Sequence, residues 1–519
     1  MRIEAAQGFL SLSLSTMPRA NAATFWTDVS DDIDYVFYSG HTQLCLKKRV
    51  AYPITFAYVL DSKLYFGYGI RKEHEINQPM TGAESYLFRD EFLIGCIDAQ
   101  NGSAELRRDA FATLPLYYAS DQNKAYISDS LPWITGQLPR LAINDSALAS
   151  FLFAPCKNNH TLLKGIEFLP ERSVFSWYLG ESHLLIPQEL PALPTESQPA
   201  KFMTALNETF ESYWQKVSGV KSVFEVSGGL DSATMPQYLA TVHGTRVLMA
   251  YLQHSGAFGA SQQRKVEDIR RKVADDLIMI PLTVDDAPFL KYFMSGYEPF
   301  YQYSEIYATS FERLMCVLEE QGVQVVFRGI GGDELYESIS YPKPQPQLPY
   351  YIQQHIGNAY LQTMLEELPF TLGSPTAYGA KLSANKQYID HGIWPISPLA
   401  DPLLYRFTQN LPLICRGKKN IMRKYHKAYG FAESVFQADQ NEDFSRFFDE
   451  VVANSIQSYL RKLLTHSMLQ ELKLINSATI LRGLPTVISR KNSDELFALY
   501  RLASLEIILQ SIADKLYVL

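Results

Sequence analysis

Residues 186–200 read IPQELPALPTESQPA, with prolines at 187, 191, 194 and 199. Proline fixes φ and carries no N–H, so neither a helix ladder nor a central strand runs through such a stretch. The chain must fold as units on either side of it. At 519 residues it is long enough to need them, because single cores stop growing near roughly 250–300 residues. We place one unit at 1–185, a linker at 186–200 and a second unit at 201–519.

Before the linker the pattern is that of strands. DYVFYSG, KLYFGYGI, EFLIGCIDA, NKAYISDS and RSVFSWYLG are short β-branched or aromatic runs bounded by Gly, Asn, Asp and Ser. One segment, INDSALASFLFA, opens with a cap cluster and predicts a helix. After the linker the period changes. PAKFMTALNETFESYWQKV, SATMPQYLATVHG, ASQQRKVEDIRRKVADD and SFERLMCVLEEQG read as helices; SVFEV, RVLMAYLQ, LIMIPLTV and VQVVFRG read as strands between them. Alternation at this spacing predicts a doubly wound parallel α/β sheet, with a helical tail over the last 120 residues or so.

Composition narrows the function classes. Apolar residues make up 47% and charged residues 20%, which is material for sizeable cores rather than for disorder. A net charge of −8 argues against a surface built to neutralise nucleic-acid phosphates, so the expected partner is a small-molecule or peptide substrate. No run approaches the ~18 apolar residues of a membrane helix. The opening MRIEAAQGFLSLSLSTMPRANAA imitates a secretory signal, but serines interrupt its apolar stretch and Glu4 follows Arg2, so a cytoplasmic location is expected. Cys45, Cys96, Cys156, Cys316 and Cys415 lie far apart without metal-ligand spacing and read as reduced core thiols.

The chemistry is concentrated in two glycine-rich turns. FEVSGGLDSATM, residues 224–235, places SGGLDS between a strand and a helix, the position where open α/β sheets bind ligands. Backbone N–H groups of such a turn converge on an anion, and the Ser227 and Ser232 hydroxyls can donate to phosphate oxygens. Asp231 would repel a phosphate unless a cation intervened, which points to Mg²⁺. No lysine follows the glycines, so this is not a P-loop of the kinase or GTPase kind. The second turn, FRGIGGDELY at 327–336, also closes an apolar strand and presents Asp333 and Glu334. If both turns share one sheet edge, Asp231 and Asp333 can share Mg²⁺. The bland alternatives are a helix-capping turn for the first and a solvated cap for the second.

Together these motifs resemble those of the asparagine synthetase family of ATP pyrophosphatases, where SGGLDS is the pyrophosphate loop and GGDEL the later loop on the Mg²⁺ side. LRRDAFATLPLYYASDQNKAYISDS (106–130), TLLKGIEFLPERSVFSW (161–177) and HGIWPISPLADPLLYRFTQNLP (391–412) look like further segments of that family, in its order. The resemblance implies an N-terminal glutaminase-like domain of the Ntn-hydrolase kind and a C-terminal ATP-pyrophosphatase domain. It implies ATP and Mg²⁺ as cofactors. Ser227, Gly228, Gly229, Leu230, Asp231 and Ser232 would then hold the pyrophosphate, with Gly329 and Gly331 beside them. Asp231 and Asp333 would hold the metal, and Ala250 and Leu252 would lie against adenine.

The chain departs from the family in four places. Glutamine-using members have a cysteine after the initiator Met, whereas Arg2 stands here, so the glutaminase-like domain is expected to be a degenerate scaffold. Ile330 stands where asparagine synthetases place a glutamate. Trp394 and Ile396 replace an acidic residue and an arginine. ESVFQADQNEDFSRFF lacks the family's lysine. The basic cluster RGKKNIMRKYHK (416–427) offers Lys418, Lys419 or Lys424 as substitutes, its bland alternative being a solvated helix face; His426 reads as a surface residue.

In overall size and in its disabled glutaminase-like domain the chain is similar to β-lactam synthetases and lasso-peptide cyclases, whose amine belongs to the substrate, and no motif separates the two. The expected activity is an ATP-dependent, AMP-forming ligase that adenylates a small-molecule or peptide carboxylate for attack by an amine whose source is not glutamine. A partner protein that delivers a precursor peptide fits this reading. Asparagine formation from ammonia and a degenerate nucleotide-binding scaffold are the alternatives.

Overall fold

The computed structural model describes residues 9–15, 25–28, 35–38, 42–49, 52–60, 63–69, 91–148 apart from 99, 122 and 145–146, 160–186, 198–282, 308–336, 375–431, and 456–513 apart from 491–492. Most of the predicted INDSALASFLFA helix, the ESVFQADQNEDFSRFF segment and Cys156 lie outside them.

The first unit is two antiparallel sheets. β1 (Leu10–Ser15), β2 (Phe25–Asp28), β3 (Tyr35–Tyr38), β4 (Thr42–Leu46), β9 (Tyr117–Ser120), β10 (Lys124–Ser128) and β11 (Ile166–Phe168) form a seven-stranded sheet in the order β11-β9-β10-β1-β4-β3-β2. β5 (Ile54–Leu60), β6 (Lys63–Gly69), β7 (Phe92–Asp98), β8 (Ser103–Arg108), β12 (Val174–Tyr178) and β13 (Glu181–Leu185) form a six-stranded one, β13-β12-β8-β7-β6-β5. Their inner faces share a core. Leu10, Leu12 and Leu14 of β1 belong to the same apolar cluster as Leu64, Phe66 and Tyr68 of β6 and Leu106 of β8. Along β8 buried residues alternate with partly exposed ones, the period-2 pattern of a strand with one face inward.

The second unit is built on five parallel strands: β14 (Ser222–Glu225), β15 (Val247–Gln253), β16 (Ala274–Pro281), β17 (Val325–Phe327) and β18 (Trp394–Ile396), in the order β16-β15-β14-β17-β18. The chain winds outward from β14 through β15 to β16, then returns across β14 to lay down β17 and β18 on its other side. β14 and β17 are therefore the adjacent strands from which the chain departs in opposite directions, the switch point of a doubly wound sheet. β17 and β14 pair Val326 with Val223 and Phe327 with Phe224, whose rings stack at 4.6 Å.

Element boundaries shift where pairing overrides local pattern. The helix expected to run through Asp276 ends at Val273, because Ala274 onward is drawn into β16 alongside β15. The helix after the first turn runs Leu230–Tyr238, passes through one wide turn at Leu239–His243 and stops at Gly244, whose φ of 64° ends it.

The two units are bolted together by the helix Pro375–Asp390. Its Lys381 and Lys386 are buried. Lys381 Nζ donates to the Phe111 carbonyl at 2.7 Å, Asn385 Nδ2 to the Thr113 carbonyl at 2.9 Å, and Lys386 pairs with Asp129 at 3.6 Å. Asp129 in turn accepts the backbone N–H groups of Phe9 and Leu10. Trp394, at the start of β18, reaches across to donate Nε1–H to Glu91 at 2.8 Å. One apolar cluster runs unbroken from Leu10 to Trp394 across this seam. Among the described residues no helix is long and apolar enough to cross a membrane.

Candidate functional site

Both glycine-rich turns lie at the carboxyl ends of the switch-point strands, Ser227–Ser232 after β14 and Gly329–Asp333 after β17. They touch. Gly329 backs onto Ser232, where an added Cβ would lie 3.0 Å from its backbone nitrogen. Gly332 lies so close to Asp231 that any side chain there would collide with the carboxylate. Gly228 has φ +87°, which a β-carbon disfavours, and this left-handed step lets the turn double back before the helix begins.

The helix that follows, Leu230–Tyr238, has Gly229 as its N-cap and no side chain capping its first turn. Its N-terminal N–H groups and positive dipole end therefore lie at the carboxyl end of β14, an arrangement suited to an anion. Within the turn the polar groups satisfy one another. The Ser227 N–H donates to Ser232 Oγ at 3.1 Å, the Gly229 N–H to Ser227 Oγ at 3.3 Å, and the Ser232 hydroxyl to the Gly229 carbonyl at 3.2 Å.

Asp231 and Asp333 converge on one cation, Lys419. Its ammonium lies 2.5 Å from Asp231 Oδ2 and also pairs with Asp333 Oδ1. Lys419 sits between a short 3-10 turn, Gly417–Lys419, and the helix Asn420–Ala428, in the left-handed region at φ 56°. Burial works against its charge, yet the two carboxylates outweigh burial and hold the ammonium above the usual lysine range. Burial pushes Asp231 above the usual carboxylate range, with Lys419 opposing and Asp333 reinforcing the push. Asp231 Oδ1 is buried without a hydrogen-bond partner among the described residues. A vacant carboxylate oxygen beside a second carboxylate is a donor set that fits Mg²⁺.

Of the three lysines named from the sequence, only Lys419 is seen at the turns. Lys424 is exposed on the following helix, and the side chain of Lys418 is not described. The expected surface position of His426 is corrected: it is fully buried behind the first turn, with Nε2 3.1 Å from both Thr234 Oγ1 and the Leu230 carbonyl, and burial lowers its pKa to about 4. It is a neutral strut, because helix Asn420–Ala428 turns that face inward. Ala250 and Leu252 are buried within β15, their carbonyls accepting from the Val226 N–H and from Gln262 Nε2. β15 ends at Gln253, with His254 the first residue beyond it. Trp394 is buried on Glu91 rather than at the turns.

Sequence reasoning missed the layer beneath. Glu225, the last residue of β14, pairs with Arg328 Nε at 2.9 Å and accepts the Tyr388 hydroxyl, and Arg328 lies over the Tyr388 ring at 5.1 Å. This links the residues just before each turn. The signal was available, since a glutamate inside the buried strand SVFEV demands a cationic partner. Tyr336, three residues past Asp333, is buried near Asp231, and burial first and then that carboxylate keep its hydroxyl protonated.

The sequence matches no protein-family model and no curated protein. Among solved structures it overlaps the U34-tRNA thiolase NcsA from Methanococcus maripaludis at TM-score 0.23 and 11% identity, over 46% of this chain and 77% of that one. It overlaps NAD+ synthetase from Burkholderia pseudomallei at TM-score 0.20 and 14% identity (41% and 92% covered). NMN synthetase from Francisella tularensis gives TM-score 0.20 and 13% identity (41% and 93%). Overlap at this level says nothing about the fold or activity of this chain.

Proposed function

We propose that this chain is an ATP-dependent, AMP-forming amide ligase of the asparagine synthetase kind, adenylating a small-molecule or peptide carboxylate for attack by an amine. The observation that carries the reading is the meeting of the two glycine-rich turns at the switch point, with Asp231 and Asp333 on a single ammonium. A helix cap or a solvated turn has no need of interlocked glycines or of a partly buried acid–base triad.

In this reading the N-terminus of helix Leu230–Tyr238 and the Ser227 and Ser232 hydroxyls bind the β- and γ-phosphates. They exchange their present bonds to one another for bonds to phosphate oxygens, so the turn is organised before ATP arrives and little ordering entropy remains to be lost. Mg²⁺ would be held by Asp231 and Asp333, and supplies charge that stabilises departing pyrophosphate. Lys419 contributes a fixed positive charge to the same group as negative charge develops on the leaving oxygen. A substrate carboxylate oxygen attacks the α-phosphorus, pyrophosphate leaves, and the amine then displaces AMP from the acyl carbon. The two-sheet N-terminal unit, read as a degenerate glutaminase-like domain, serves as the wall against which helix Pro375–Asp390 is fixed.

ATP–pyrophosphate exchange with Mg²⁺, across a panel of carboxylates that includes aspartate and small peptides, tests this. Exchange with one substrate class, abolished in Asp231→Ala, is the expected result. No exchange with any carboxylate, together with no ATP binding, overturns the proposal in favour of a scaffold.

A further inference from the structure

A second group of ligating side chains lies on the segments that lead into the amino ends of β17 and β18, whereas the glycine-rich turns follow carboxyl ends. Helix Ala308–Glu320 carries Glu312, Cys316 and Glu319 at spacings of four and three, which places them on one face. His391 reaches this face from the bend between helix Pro375–Asp390 and β18. Its Nε2 lies 3.1 Å from Glu312 Oε1 and its Nδ1 lies 2.7 Å from Glu319 Oε2. The ligand atoms of Glu312, Cys316 and His391 all fall within 4.8 Å of one another.

Two glutamates around a histidine make an ordinary salt bridge, but that leaves two observations over. Glu312 Oε2 is buried with no hydrogen-bond partner among the described residues. Cys316, expected from the sequence to be a core thiol, is instead exposed, with its sulfur within 4.8 Å of ligand atoms of both Glu312 and His391. We propose that Glu312, Cys316 and His391 form a zinc site, with Glu319 as the carboxylate that orients the imidazole.

The stereochemistry suits the ion. Zn²⁺ takes thiolate sulfur at about 2.3 Å and imidazole nitrogen or carboxylate oxygen near 2.0–2.2 Å, so tetrahedral ligands lie roughly 3.3–3.6 Å apart. The observed Glu312–His391 separation of 3.1 Å needs only a small spread to admit it. Glu319 on Nδ1 leaves Nε2 as the metal-facing nitrogen, the carboxylate–histidine–metal arrangement that fixes ring orientation. One thiolate, one imidazole and one carboxylate are a borderline-soft set that favours zinc over Mg²⁺ or Ca²⁺. Binding replaces the Nε2 proton of His391 and the Cys316 thiol proton, so about two protons leave per ion. The fourth position faces solvent, because Cys316 is exposed. The ion would tie helix Ala308–Glu320 to the segment entering β18.

Cobalt(II), then zinc, titrated into the purified full-length chain tests the site, with calorimetry in buffers of different ionisation enthalpy to count protons. The expected result is one equivalent of Co²⁺ giving a thiolate charge-transfer band, bleached by Zn²⁺, with about two protons released. Cys316→Ser abolishes the band, and an unchanged melting curve for this exposed substitution excludes misfolding as the cause. Glu319→Gln weakens zinc binding about 10- to 100-fold while the band remains. Wild-type protein without the band, or Cys316→Ser binding zinc as tightly as wild type, overturns the proposal.

Discussion

Glu91 gives the sharpest test of how the two units are joined, because its environment works against its charge. Glu91 is 2% exposed. Trp394 Nε1 donates to it at 2.8 Å, Thr113 Oγ1 at 3.1 Å and the Tyr52 hydroxyl at 3.4 Å. Three donors favour the carboxylate, yet burial, reinforced by Asp109, prevails and pushes its pKa from 4.5 up to about 7. The folded protein then binds one more proton than the unfolded chain between pH 4.5 and about 7. Its contribution is fully favourable below pH 4.5 and is lost as pH rises through 7. At about 1.36 kcal/mol for each pH unit between those two values, the loss comes to about 3 kcal/mol by pH 8. Glu91→Gln removes the ionisation while keeping an acceptor for Trp394, with its amide N–H donating to the Thr113 hydroxyl in place of the bond that hydroxyl now donates. Urea unfolding followed by tryptophan fluorescence should show the variant close to wild type at pH 4.5 and more stable by about 3 kcal/mol at pH 8. Parallel stability curves for the two proteins across that range would mean that the donors, not burial, decide the charge state, and the reasoning would fail.

The same seam predicts that Trp394→Phe, which removes the strongest donor to Glu91, costs about 1–3 kcal/mol at pH 8 and less at pH 5, where Glu91 is protonated. Unfolding at both pH values checks it, and equal losses would count against it. Arg328→Met leaves the 18%-exposed Glu225 without its ion-pair partner and should cost about 3 kcal/mol, with ATP–pyrophosphate exchange falling because both turns begin beside that pair. Gly332→Ala drives a methyl group into Asp231 and should lower stability by about 1–3 kcal/mol and exchange by at least about tenfold, read from melting curves and initial rates.

Strand–helix alternation after residue 200 and the glycine-rich turns were legible because each is written locally: apolar period, cap residues, glycine where the backbone must reverse. That β14 and β17 are neighbours was not, since strand order is decided by which helices cover which face. The sequence could therefore pose the sharing of a cation by Asp231 and Asp333 only as a condition. It offered three lysines for one place and could not choose, because the choice depends on a backbone reversal at Lys419 that no pattern marks. His426 was misread for the same reason: in RGKKNIMRKYHK its neighbours are charged, and only the packing of that helix against Thr234 shows which face is inside. Cys316 looked like any core thiol until helix Ala308–Glu320 was seen to turn it outward.

Lys419 breaks a local rule where the proposed chemistry needs it broken. A residue with a β-carbon held at φ 56° costs roughly 1–2 kcal/mol, and glycine or asparagine would relieve the strain. A lysine persists there with its ammonium on two acids, which is the kind of compromise expected at a functional site and not in a helix start selected for stability alone. Two variants separate backbone from charge. Lys419→Met keeps the strain and loses the charge; Lys419→Gly loses both. If the lysine serves the site, exchange falls about 100-fold or more in each, the size of effect seen when one fixed electrostatic group is removed. The glycine variant should then be the more stable of the two by about 1 kcal/mol. Exchange at the wild-type rate in Lys419→Gly would make the lysine a bystander, and would leave Asp231 and Asp333 paired with it for structural reasons only.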